Sequence, residues 1–116
     1  MEGLTINEAA ATTGWSPRML RYVERSGLIA PERSASGYRL YGPAELQRLR
    51  TLKELLAKFD LGLSDMAFAG RLNTDPALRA AVQAWLDARP ERPRDVEPSD
   101  WLRFEQAKHE RLLTAA

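Results

Sequence analysis

Arg18 and Arg21 lie three residues apart in Ser16-Pro17-Arg18-Met19-Leu20-Arg21-Tyr22-Val23-Glu24-Arg25. At helical spacing, side chains three apart share a face. A guanidinium is a permanently charged fork of N–H donors that accepts nothing. Such a pair suits gripping anions and acceptor-rich base edges, not moving protons. Tyr22 adds a hydroxyl and Arg25 a third guanidinium. A second group follows in Gly37-Tyr38-Arg39-Leu40-Tyr41. In an extended segment, Tyr38 and Leu40 share one face, and Arg39 and Tyr41 the other. Arg39 with Tyr41 is a pair suited to a sugar-phosphate backbone. Acidic residues occur singly among basic neighbours and no nucleophile–base pairing stands out, so no enzyme is expected.

The elements that must hold these groups can be read from their end signals. Thr5-Ile6-Asn7-Glu8 has the form of a capping box. A first helix runs from there to about Thr12, and Gly14 stops it. Ser16 caps a second helix with Pro17 at its first position. That helix ends near Ser26, with Gly27 as the left-handed residue. Two short helices joined by a Gly-containing turn form a helix-turn-helix. In such a motif the second helix enters the major groove of DNA, and its N-terminal side chains face base edges. Here those are Ser16, Pro17, Arg18, Met19, Arg21 and Tyr22. Arg21, Tyr22 and Arg25 also have the reach for flanking phosphates.

Ser34 to Gly37 is turn-rich, and a small β-hairpin is expected there, leaning on the helices. Pro43 opens a third helix over about 43–57, with Leu46, Leu49, Leu52 or Lys53, and Leu56 inward and Arg48, Arg50 and Glu54 outward. A loop with Gly62 leads to a short fourth helix over about 64–72, with Met66, Phe68 or Ala69, and Leu72 inward. Asp75-Pro76 starts a fifth helix running to about Ala88. Leu78, Val82, Trp85 and Leu86 give it an apolar seam at helical spacing. Arg89 to Pro98 holds three prolines and reads as a semi-rigid linker. Ser99 then caps a last helix carrying Trp101 and Phe104. The aromatic set Trp85, Trp101 and Phe104 is expected to pack the tail onto the body or onto a second subunit. Trp15 is expected to pack the helix-turn-helix turn.

Composition narrows the chemistry. The 116 residues are 44% hydrophobic and 28% charged, with a formal net charge of +1. There is no cysteine, which excludes thiolate metal sites, disulfides and cysteine nucleophiles within the chain. The single histidine, His109, is expected on a helix surface, and no metal or cofactor is expected. No apolar run approaches the roughly 18–20 residues that span a bilayer, and the N-terminal stretch lacks the form of a signal peptide. A cytoplasmic protein without membrane contact is expected. The charge is unevenly spread. Between residues 16 and 53, Arg18, Arg21, Arg25, Arg33, Arg39, Arg48, Arg50 and Lys53 stand against Glu24, Glu32 and Glu45. That local excess suggests a polyanion-binding face.

The series Thr5-Ile6-x-Glu8-Ala9-Ala10, Ser16-Pro17-Arg18-Met19-Leu20-Arg21-Tyr22-Val23-Glu24, Gly27-Leu28-Ile29, Pro31, Arg33 and Gly37-Tyr38-Arg39-x-Tyr41 resembles the MerR family of bacterial transcription regulators over about residues 4–72. The resemblance implies a mainly α winged helix-turn-helix, with the hairpin as first wing. Helices 3 and 4 and their loop would be a second wing. It implies that Arg18, Arg21, Tyr22, Arg33, Tyr38, Arg39 and Tyr41 face DNA, and that Lys58 touches phosphate at the second wing. Val23 departs from the usual second tyrosine. Asp60 stands where a glycine is common, and an acid there is pushed away from phosphate. The usual long pairing helix is replaced by a short helix, a Pro-rich linker and a last helix.

Residues 1–73 are therefore expected to form the DNA-binding domain. Residues 74–116 form a helical extension that dimerises or docks through Leu78, Val82, Trp85, Leu86, Trp101 and Phe104. The expected function is a double-stranded DNA-binding transcription regulator without an evident effector domain. It would act as a homodimer at promoter DNA, with RNA polymerase as a further partner. Two rivals are an excisionase-like architectural factor assembling on direct repeats, and a protein-binding adaptor using the aromatic tail.

Overall fold

The computed structural model describes residues 3–62 and 65–114. Its elements are helices α1 (Ile6–Thr13) and α2 (Pro17–Arg25), strands β1 (Glu32–Arg33) and β2 (Arg39–Leu40), and helices α3 (Pro43–Lys58), α4 (Asp65–Thr74), α5 (Pro76–Asp87) and α6 (Trp101–Thr114). A single 3-10 turn, Pro98–Asp100, leads into α6. The mainly α architecture with one small antiparallel hairpin is the winged helix-turn-helix expected from sequence.

The helix starts follow their side-chain caps. Thr5 Oγ1 accepts from Glu8 N at 3.2 Å, while Glu8 Oε1 accepts from Thr5 N at 2.9 Å. Ser16 Oγ accepts from Met19 N at 3.0 Å, and Asp75 caps α5 through the amides of Ala77 and Leu78. These contacts occupy backbone donors that a helix start leaves without partners. Gly14 (φ 80°) ends α1, and Gly27 (φ 77°) follows the end of α2. Between them Trp15 is 1% exposed and seals the turn between the two helices.

The hairpin is short, with Glu32 opposite Leu40 and Arg33 opposite Arg39. A third stretch steadies it: Leu4 and Tyr41 exchange both backbone hydrogen bonds at 2.8 Å. The segment before α1 thus closes the base of the wing. Tyr41 is fully buried in the core, whereas Tyr38 is 71% exposed.

One core joins all of this. Met19, Leu20 and Val23 of α2 meet Leu46, Leu49, Leu52 and Leu56 of α3, and Phe68, Leu78, Val82 and Trp85 continue the cluster. Helix α5 packs on α3 and α4, and α6 packs on α1 and α3. The apolar seam of α5 is therefore spent inside the chain: Leu78, Val82 and Trp85 are buried and Leu86 is half-buried. Met66, expected inward, is 80% exposed, and Phe68 takes the inward place on α4.

Polar groups add to the apolar hold on the tail. Arg48, expected outward, lies 4.2 Å over the Trp85 ring and donates to Ala88 O at 2.7 Å. Trp85 Nε1 donates to Thr51 Oγ1 at 2.8 Å. Gln47 holds both the N–H and the carbonyl of Glu91, laying the linker along α3. Glu105 is fully buried, with Arg50, Gln47 and Trp101 donating to its carboxylate. His109, expected on the surface, is fully buried, with Nε2 2.8 Å from Leu46 O. Glu105 and His109 break the rule that polar means outside, because α3 supplies partners for them from far along the chain.

Candidate nucleic-acid interface

Helix α2 buries Met19, Leu20 and Val23, which leaves its other side to Ser16, Arg18, Arg21 and Arg25, all exposed. Val23 is 1% exposed, so the position that departs from the familiar tyrosine is a core position. Ser16 stands at the tip of the helix with its oxygen engaged in capping, and Pro17 beside it is half-exposed. Tyr22 is half-buried, its ring meeting Phe68 edge-on at 6.2 Å between centroids. That contact anchors α4 to the recognition helix.

The wing sits next to this face. The start of α1 at Thr5 and Asn7, Arg21 of α2, and Arg33, Tyr38 and Arg39 of the wing line a cleft of about 420 Å³. Its walls are rich in donors, which is the chemistry an anionic backbone requires.

Glu24 joins the two parts. Its Oε2 accepts from Arg33 Nη2 at 2.9 Å, and its Oε1 accepts from Arg39 Nε at 2.5 Å. Arg33 Nη1 also donates to Gly37 O in the turn at 3.1 Å. One carboxylate from α2 therefore grips both strands of the wing. The sequence signal was present as a single acid inside the basic motif, but its partners lie nine and fifteen residues away.

Two sequence expectations change here. Tyr41, expected to share a face with Arg39, has its side chain buried with no partner for its hydroxyl. Burial, reinforced by the nearby Glu24 carboxylate, raises the Tyr41 pKa above its ordinary 10.0. It is a core residue, not a contact for an outside ligand. The basic block also divides in two. Arg48, Arg50 and Lys53 serve the tail and α1: Arg50 meets Glu54 and Glu105, and Lys53 donates to Thr13 O at 2.6 Å. Burial lowers the pKa of both Arg48 and Lys53. Only Arg18, Arg21, Arg25, Arg33 and Arg39 of that block belong to the α2–wing side.

At the second wing, Lys58 is exposed at the end of α3. Asp60 follows in the left-handed region at φ 56°, with the amides of Asp60 and Leu61 returning to Ala57 O and Leu56 O. This is the glycine-favouring end of a Schellman turn. Leu63 and Ser64, between the loop and α4, lie outside the described residues.

In the tail, Trp101 and Phe104 are half-buried, and Lys108 lies 4.9 Å over the Phe104 ring. Among the described residues, no group of three or more His, Cys, Asp and Glu could hold a metal ion. No helix among them is long and apolar enough to cross a membrane.

Comparison with known proteins points to the same part of the chain. Residues 4–66 match the model of the MerR HTH family regulatory protein. The HTH-type transcriptional regulator HmrR of Sinorhizobium medicae is 42% identical over 62 residues, which are 53% of this chain and 40% of that protein. The heavy metal-dependent transcription regulator 2 of Rhizobium meliloti gives the same identity and coverage. A probable heavy metal-dependent transcriptional regulator of Haemophilus influenzae is 45% identical over 51 residues, 43% of this chain and 40% of that protein. The chain thus spans about two fifths of the length of the curated relatives it matches. No solved structure gives a significant match.

Proposed function

The chain belongs to the MerR helix-turn-helix family of regulatory proteins, and from that premise we propose that it binds double-stranded DNA and regulates transcription. The observation that carries this reading is the exposed Arg18, Arg21 and Arg25 on α2 beside a wing bearing exposed Tyr38. On this reading α2 enters the major groove, with Ser16, Pro17, Arg18 and Arg21 nearest the bases and Arg25 on a phosphate. Tyr22 is reachable at its edge only. Arg33, Arg39 and Tyr38 face the flanking backbone, and Lys58 meets phosphate at the second wing. No catalytic step is part of the reading.

The protein would act as a homodimer on an inverted repeat, since one small module buries too little surface for selectivity alone. Pairing would use a surface other than the seam of Leu78, Val82 and Trp85, which is buried within the chain. RNA polymerase at the promoter, and a cytoplasmic, nucleoid-associated location, follow from the same proposal. The heavy metals in the relatives' names are said of those proteins.

Fluorescence anisotropy against genomic fragments tests the reading. Salt-sensitive duplex binding with a bounded two-fold footprint is expected. Arg18→Ala and Arg21→Ala should each weaken specific binding by about 1–3 kcal/mol if they reach bases. Binding that ignores salt, or no duplex binding at low salt, would contradict it.

A further inference from the structure

Glu24 is an acid of α2 that binds both wing strands. It is mostly covered, with 21% side-chain exposure, while Arg33 keeps 48% and Arg39 26%. Each carboxylate oxygen holds one guanidinium. Arg39 uses its Nε for this bond and turns that edge inward. Arg33 spends one terminal nitrogen on Glu24 and the other on Gly37 O. Three ionised side chains thus sit at the α2–wing junction as a unit with two positive charges and one negative. Neither arginine retains all its donors for an outside phosphate.

A carboxylate in that place does two things. It fixes the angle between recognition helix and wing, because it bonds to both strands at once. It also subtracts a charge where the polyanion would arrive. Non-specific DNA binding comes almost wholly from cations meeting phosphates, while base contacts are indifferent to it. An acid placed here lowers phosphate-driven attraction for any duplex.

On the basis of the DNA-binding reading above, we infer that Glu24 is a positioning residue: a clasp on Arg33 and Arg39 whose charge weakens phosphate-driven DNA binding. It touches no base itself.

The test uses the whole chain and a random-sequence duplex of about 30 base pairs in a salt series. Glu24→Gln should bind the random duplex about three- to tenfold tighter at low salt, with a steeper salt dependence. Glu24→Asp keeps the charge but shortens the reach, so it should loosen the wing without tightening random binding. A purely structural clasp would make both variants weaker; equal loss in the two, or no gain in Glu24→Gln, overturns the inference. Thermal unfolding shows whether each variant is folded. Should Glu24→Gln not fold, Arg39→Gln and Arg25→Gln decide the matter. Arg39 already faces a carboxylate, so its loss should cost less random-duplex affinity than loss of Arg25; an equal or larger cost overturns the inference. Wild-type protein that binds duplex while these variants fail to differ sinks the clasp alone. Wild-type protein that binds no duplex sinks the DNA-binding reading, and the clasp with it.

Discussion

Glu105 of α6 and Arg50 of α3 form an ion pair at 3.4 Å in which the carboxylate is fully buried. The pair spans fifty-five residues and is the main polar lock between the tail and the helix-turn-helix body. Trp101 Nε1 and Gln47 Nε2 also donate to this carboxylate, at 3.1 and 3.2 Å. A buried charge with that many donors is costly to unpair.

Glu105→Ala should therefore destabilise the fold by about 3 kcal/mol, the low end of the usual range for a broken buried pair, because Arg50 still has Glu54. Glu105→Gln keeps the shape and should cost less. Urea unfolding followed by tryptophan fluorescence measures both. Equal midpoints for wild type and Glu105→Ala would show that α6 is not locked this way.

Tyr41 gives a prediction of the opposite kind. Its hydroxyl is buried without a hydrogen-bond partner. Removing an unsatisfied polar group at constant shape is close to neutral or stabilising. Tyr41→Phe should leave the melting temperature unchanged or raised and should not alter duplex affinity. A clear loss of affinity with an intact fold would return Tyr41 to the DNA-facing set.

These cases show what could be read from the chain and what could not. The helix starts were legible because their partners are local: Thr5 with Glu8, Ser16 with Met19, Asp75 with Leu78. The inward leucines of α3 were legible from their spacing. The family motif placed α2 and the wing. What escaped were positions settled by residues far along the chain. Alternation put Arg39 and Tyr41 on one face, but Tyr41 pairs with Leu4, more than thirty residues earlier, and is buried while Arg39 stays half-exposed. Arg48 and Arg50 looked like an outward stripe because the tail that covers them comes roughly forty to fifty-five residues later. The same holds for Glu105 and His109, polar residues that an apolar pattern assigns to solvent.

Asp60 offers a gain. Its φ of 56° is a conformation in which a side chain is strained and glycine is not. Asp60→Gly relieves that strain but gives the unfolded chain more freedom, so the net stabilisation should be at most about 1 kcal/mol. It also removes an acid from the second wing, so random-duplex affinity should rise at low salt. Calorimetry and anisotropy check the two effects separately. A lower melting temperature would mean that the aspartate side chain supports the turn.

His109 sets the pH response. Its Nε2 faces the Leu46 carbonyl at 2.8 Å, so that nitrogen carries the hydrogen, while Nδ1 is buried without a partner. Protonation would add a second buried N–H with nothing to accept it. Burial, opposed by the Leu46 hydrogen bond and aided by Lys53 and Arg50, lowers the pKa from 6.5; Glu105 acts the other way. The unfolded chain then takes up a proton at a higher pH than the folded one. Stability is fully present above about pH 6.5 and is lost as pH falls from there toward the lower folded value, by at most about 1.4 kcal/mol per pH unit. The chain has one histidine; burial also raises the Glu45 carboxyl toward the acid end of this window, where it acts with the opposite sign, so His109→Gln is the variant that isolates the histidine's share. Urea midpoints at pH 7.5, 6.5 and about 5.5 should decline in the wild type. His109→Gln can still donate to Leu46 O, and its midpoints should stay nearly flat over the same range. A flat wild type, or the same decline in His109→Gln, would show that His109 is charged in the fold or that another group carries the response.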